Sequence, residues 1–135
     1  MFIDNEHVYV LGSGERYYVL NIEDPSNPVE VGMFELGKEG QSIHDVWIED
    51  GIAYSSNWKD GVYLVDVGNG IAGGSPSNPV AFADYTYASG ANHAAFPFKS
   101  KSTGTFYVVL CDEIFPNGVD LTEPSITAGF CHFVD

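Results

Sequence analysis

The sequence predicts an all-β chain made of tandem units, each of four short antiparallel strands. Three observations carry this expectation. The chain matches itself when shifted by 45 residues. Its apolar residues alternate with period two or run in short β-branched and aromatic blocks, and no long segment has helical periodicity. Glycine and proline are plentiful, at 15 and 7 of 135 residues, and favour many turns between short strands.

Under the 45-residue shift, Phe2-Ile3-Asp4-Asn5 falls on Trp47-Ile48-Glu49-Asp50 and Val8-Tyr9 falls on Ala53-Tyr54. Tyr18-Val19-Leu20-Asn21-Ile22 falls on Tyr63-Leu64-Val65-Asp66-Val67. The offset then grows to 51, so that Ser26-Asn27-Pro28-Val29 recurs as Ser77-Asn78-Pro79-Val80. The extra residues lie in a Gly-rich loop at 68–75. Ser42-Ile43-His44 matches Ala91-Asn92-His93. A third copy starts at Thr105-Phe106-Tyr107-Val108-Val109, with Tyr107 answering Tyr54 and Tyr9. It resumes at Phe133-Val134-Asp135 after an insertion at 112–130.

Each unit reads as four strands. In the second, 43–49 alternates and ends at the turn Asp50-Gly51, and 52–57 follows. The tight turn Lys59-Asp60-Gly61 leads to the β-branched and aromatic run 62–67. Asn78-Pro79 breaks the chain before 80–87 alternates again. Four short antiparallel strands in ~45 residues is the period of a β-propeller blade. The expected fold is a single partial β-propeller domain over 1–135, of about two and a half to three blades. Its units run approximately 1–42, 43–91 and 92–135. A β-sandwich is the alternative architecture, but it has no need of a 45-residue repeat. By analogy with propellers, the strand beginning near His44 is innermost, and the strand after each Ser-Asn-Pro is outermost, where an edge tolerates proline.

Gly61-Val62-Tyr63-Leu64-Val65-Asp66-Val67 and Tyr17-Tyr18-Val19-Leu20-Asn21-Ile22, each followed by Ser-Asn-Pro-Val, resemble LVIVD repeats. His44-Asp45-Val46-Trp47 and Asp50-Gly51-Ile52-Ala53-Tyr54 fit the same pattern. The resemblance covers nearly the whole chain, and the third unit departs from it through its insertion. It implies a bacterial β-propeller, often secreted or surface-associated, mostly without an assigned activity. Met1 aligns with Val46, inside an inner strand, and Asp135 aligns with Asp66, before an outer strand. Missing blades are therefore expected from a longer chain, or from self-association of several chains into a ring.

Nineteen acidic residues against five basic ones give a net charge of −14. Such a surface repels nucleic-acid backbones and anionic lipid heads, so no nucleic-acid partner is expected. No apolar run reaches the ~18 residues of a membrane span. No basic segment followed by an apolar one opens the chain as a signal peptide does.

His44 and His93 occupy one repeated position, at the start of successive innermost strands. Adjacent blades would bring the two imidazoles within reach of a shared iron, copper or zinc ion. The alternative is a structural histidine whose ring bonds backbone or Asp45. Asp112 and Glu113 open the insertion, and Phe115 and Asp120 lie within it. Insertions on repeat scaffolds often build the binding face, so these four are candidate ligand-binding residues. Their carboxylates suit calcium or a metal-bound water, or they belong to a solvated loop. Cys111 and Cys131 flank the insertion and align with Trp58 and Val62, on either side of a tight turn. They should face one another at its base and could form a disulfide in an oxidising compartment. Trp47 and Trp58 are read as packing between blades.

Two functions follow from these readings. One is a binding or scaffold module of a larger secreted or cell-surface protein, meeting a protein, glycan or small-molecule ligand. The other is a metal-dependent propeller enzyme, with His44 and His93 as ligands and Asp112 or Glu113 assisting.

Overall fold

β-Branched and aromatic residues on alternate positions favour pleated strands, and the glycine- and asparagine-bearing turns fold each strand back on the last. The computed structural model of the chain describes residues 1–37, 42–87, 91–113 and 129–135. It is all-β, with no helix among these residues, and it forms three antiparallel sheets. The first sheet holds β1 (Phe2–Asp4), β2 (His7–Leu11), β3 (Arg16–Asn21) and β4 (Val29–Glu35) in sequence order. The second holds β5 (Asp45–Glu49), β6 (Ile52–Ser56), β7 (Val62–Asp66) and β8 (Val80–Tyr85), also in order. The third holds β9 (Asn92–Lys99), β10 (Phe106–Asp112) and β11 (Cys131–Val134). No helix is long and apolar enough to cross a membrane among the described residues.

The first two sheets share one register. Phe2 pairs with Tyr9 as Trp47 pairs with Tyr54, and Val8 pairs with Leu20 as Ala53 pairs with Val65. The third and fourth strands keep the larger offset: Leu20 pairs with Glu30, and Val65 with Ala81. A bulge falls between Val19 and Leu20 and recurs between Leu64 and Val65. A bulge bends its strand and increases twist, so the two sheets curve alike.

The hairpin turn Asp50-Gly51 uses φ values of 51° and 71°, the left-handed pair that matches strand twist. Gly61 must be glycine for a further reason, since a Cβ there would meet Tyr85 O at 2.0 Å.

The Gly-rich loop is built around Asp66. Its carboxylate is fully buried and accepts backbone N–H bonds from Gly68, Gly70, Ala72 and Gly74, at 2.8–3.1 Å. Burial pushes this carboxyl's pKa up, but the four donors outweigh it and hold it well below the usual carboxylate range. A Cβ on Gly74 would meet Asp66 O at 2.1 Å, so the wrap is too close for any side chain at that point.

The sheets stack through alternate residues. Tyr9, Tyr17, Val19 and Phe34 of the first pack on Val46, Ile48, Ala53 and Val65 of the second. Tyr54 and Val62 of the second pack on Ala95, Val108 and Leu110 of the third. The first strands of the three sheets lie side by side, β1 against β5 and β5 against β9. Farther out, a wedge of about 420 Å³ opens between β7–β8 and β10–β11, lined mainly by Val62, Leu64, Tyr85, Phe106 and Val108. On the face of the third sheet turned away from the second, Phe96, Phe98 and Phe133 remain exposed.

One expected alignment shifts in the third sheet. Cys131 pairs with Cys111 as Val62 pairs with Ser56, so Cys111 is the counterpart of Ser56 and not of Trp58. Val109, not Tyr107, then corresponds to Tyr54, and Glu113 to Trp58. Tyr107 and Val109 lie two residues apart on the same face, so a match on aromatic identity alone selects the wrong one without inverting the strand.

Candidate metal centre

The start of each first strand is fixed by backbone bonds. His44 N–H donates to Ser56 O at 2.7 Å, which holds His44 at the entry to β5. Trp58 and Asn92 exchange N–H···O bonds of 3.1 and 2.8 Å, which tie the turn after β6 to the start of β9. His93 follows directly. The two imidazoles therefore meet across the seam between the second and third sheets, with ring centroids 4.5 Å apart and tilted by 45°.

Glu113 reaches the same spot from β10. Its N–H donates to Ala91 O at 2.9 Å, which lays the residue beside the start of β9. Its Oε2 lies 2.8 Å from His93 Nδ1 and 3.8 Å from His44 Nε2. The three donor atoms fall within 4.8 Å of one another. Ligands at about 2.0–2.2 Å from a shared ion sit roughly 3–4 Å apart, so a closure of about 1 Å at the widest side accommodates one. That is a small side-chain rotation. His93's side chain is 49 % exposed, so an ion held here keeps access to solvent or to a ligand.

Trp58 forms a wall of the site. Its ring lies 4.2 Å from that of His44 and 6.4 Å from that of His93. Its φ of 51° is uncommon for a bulky residue and orients the chain into the Lys59-Asp60-Gly61 turn. Trp47 behaves differently. It spans neighbouring first strands, 4.8 Å from Phe2 and 6.4 Å from Phe96.

Asp112 does not join Glu113. Consecutive residues at a strand end point to opposite faces, and its side chain is fully buried. It accepts the Tyr87 hydroxyl and lies 3.3 Å from His132 Nε2. Tyr87 and His132 pack ring on ring at 4.3 Å. Burial, reinforced by the Asp112 bond, pushes the Tyr87 hydroxyl well above its ordinary pKa. This second cluster braces the root of Glu113 from behind. Asn92, also buried, donates to Ala94 O and leaves its Oδ1 without a partner among the described residues.

No family model, curated protein or solved structure matches this chain. What the site can do therefore rests on its own geometry and donor set.

Two imidazoles and one carboxylate suit zinc, iron and neighbouring divalent transition metals, rather than calcium, which prefers all-oxygen cages of six or more ligands. Among the expected site residues, His44, His93 and Glu113 come together here, while Asp112 is turned inward. Cys111 and Cys131 face each other at the base of the insertion, with Sγ atoms 2.8 Å apart and no disulfide between them. Phe115 and Asp120 lie outside the described residues. Sequence reasoning missed the role of Trp58 and of the Tyr87–His132 pair. A tryptophan directly before a Lys-Asp-Gly turn was the available signal for the first. Tyr87 and His132 are 45 positions apart with no shared motif, so nothing pointed to the second.

Proposed function

We propose that this chain is a segment of a β-propeller of LVIVD-repeat type, each sheet one blade, acting as a binding module with a divalent transition-metal centre. Three observations support the propeller reading. The first two sheets share strand order, register and bulge positions. The first strands lie side by side and a wedge opens farther out. On the face of the third sheet turned away from the second, Phe96, Phe98 and Phe133 are exposed, which suits packing against a further blade.

The metal reading is carried by one observation: the convergence of His44, His93 and Glu113 donor atoms within 4.8 Å at the innermost strand ends. Three protein ligands leave open positions, through which a held ion can take water or an anionic group of a ligand. Those open positions also favour a second reading, metal-dependent catalysis by an ion-activated water.

Titration of the chain with Co²⁺ or Zn²⁺, followed by calorimetry, tests the centre. The expected result is one ion per chain, lost in a His44→Ala/His93→Ala double variant that keeps its β-sheet circular dichroism. Equal binding by the double variant overturns the proposal. Turnover that requires the metal and disappears with it distinguishes the catalytic reading from simple ligand binding.

A further inference from the structure

We infer that Cys111 and Cys131 form a dithiol that low-molecular-weight disulfides oxidise to an intramolecular bond, and that this bond fixes the strand end carrying Glu113. The first half stands on the strand geometry alone; the second rests on the metal centre proposed above.

The two cysteines are direct partners across β10 and β11. Asp112 N–H donates to Phe130 O at 2.9 Å, so residues 112 and 130 form a hydrogen-bonded pair. Cys111 and Cys131 are then the adjacent non-hydrogen-bonded pair, where opposed side chains come closest and Cα atoms sit about 4.5 Å apart. That separation falls within the range a disulfide spans. The sulfurs already lie 2.8 Å apart. Gly129, with φ of 110°, packs beside Asp112 O, where a Cβ would come within 2.8 Å, so the chain enters β11 tightly apposed to the end of β10.

Access divides the roles. Cys131 is exposed and Cys111 is less so. Cys131 is therefore the sulfur that first meets the oxidant. Its thiolate attacks a small disulfide, one sulfur bonds to it, and the other leaves as a thiolate that takes up the proton. Cys111 then attacks Cys131 Sγ, the protein disulfide forms, and the second small thiol leaves with the remaining proton. Two protein thiols are oxidised and one small disulfide is reduced to two thiols.

The consequence for the metal centre is positional. Glu113 lies two residues beyond Cys111, past the last ladder pair with β11, where its backbone N–H bonds Ala91 O and its carboxylate meets His93. A covalent tie at Cys111 stops the end of β10 from separating from β11. It thereby narrows the positions open to the Glu113 carboxylate. Supporting contacts of this kind alter metal affinity by about 10–100-fold.

The test uses the full chain. One portion is treated with oxidised glutathione and desalted; a Cys111→Ser/Cys131→Ser variant supplies the unbridged state without thiols that could themselves take a metal. Intact mass, differential alkylation and Co²⁺ titration are measured on both. The inference expects a monomer lighter by two hydrogens, both cysteines protected, reversal by dithiothreitol, and Co²⁺ affinity about tenfold above the serine variant. Glutathione adducts or cross-linked dimers with no internal bond overturn the dithiol. Equal Co²⁺ affinity in the two proteins overturns the link to Glu113. A bond that forms in a chain binding no Co²⁺ defeats the metal centre and leaves the dithiol standing.

Discussion

The described residues form two seams between sheets, and the chemical difference between them lies at the end where the first strands begin. Both are built from alternate residues of four-stranded or three-stranded sheets with matching first-strand placement. The seam between the first and second sheets is closed by Tyr9, Tyr17, Val19 and Phe34 on Val46, Ile48 and Val65. At the strand-start end of that seam, Ile43 N–H donates to Gly14 O. The seam between the second and third sheets has Trp58 paired to Asn92 there, with His44, His93 and Glu113 gathered around it. Trp58 falls on Ser13 under the 45-residue shift. A repeated scaffold thus supplies the same strand ends twice, and the side chains placed on them gather His44, His93 and Glu113 at the second seam. Repetition sets where a site can be, and the departures from repetition decide where it is.

The largest effect that separates the seams should come from Tyr17→Ala. Tyr17 is fully buried in the first seam, and removing such an aromatic side chain costs about 3–5 kcal/mol. Urea unfolding should show this loss, while metal affinity measured well below the transition stays within twofold of wild type. A large fall in metal affinity would merge the two seams into one unit and break the comparison. The converse variant, Glu113→Ala, should lower Zn²⁺ affinity by about 100-fold or more, beyond what losing a supporting contact does. Its melting temperature without metal should match wild type, because Glu113 is partly exposed and its contacts are the two histidines.

A smaller effect concerns Asp66, which lies on the regular scaffold away from both strand-start ends. Its carboxyl is held below the ordinary range in the folded chain, so folding favours the ionised form. Its stabilisation is present above the unfolded value near 4 and is lost as pH falls through and below that value. Asp66→Asn should therefore lower stability at neutral pH and flatten the acid limb of the stability curve. A variant that keeps the full acid dependence would assign that limb to other carboxylates. The smallest effect is expected for Tyr17→Phe. The hydroxyl is buried with no partner among the described residues, so its removal should leave stability unchanged or raised by up to about 1 kcal/mol.

Much of the architecture was legible before any coordinates. The 45-residue shift found the register of the first two sheets, because matching pairs recur with matching side-chain types, as Tyr9 and Tyr54 do. It placed three strands of the third sheet but slipped one of them by two residues. Side-chain alternation has a period of two, so Tyr107 and Val109 are equivalent to any pattern argument, and only the ladder separates them. At the site, His44 and His93 stood out because they recur, whereas Glu113 could be flagged only together with Asp112. Which of two neighbouring carboxylates faces the histidines depends on the strand's face at that point. The use of Trp58 depends on a positive φ, and the wrap around Asp66 on four N–H groups converging through glycine torsions. Neither leaves a mark in residue type beyond a Gly-rich loop that reads equally well as a spacer.

Anomalous diffraction from crystals grown with Co²⁺ tests the central claim most directly. The account predicts one strong peak bounded by His44 Nε2, His93 Nδ1 and Glu113 Oε2, at about 2.0–2.2 Å from each. A sole peak elsewhere, such as at Cys111 and Cys131 or in the polar cleft between Asp4 and Asp50, or no peak at all, would contradict it.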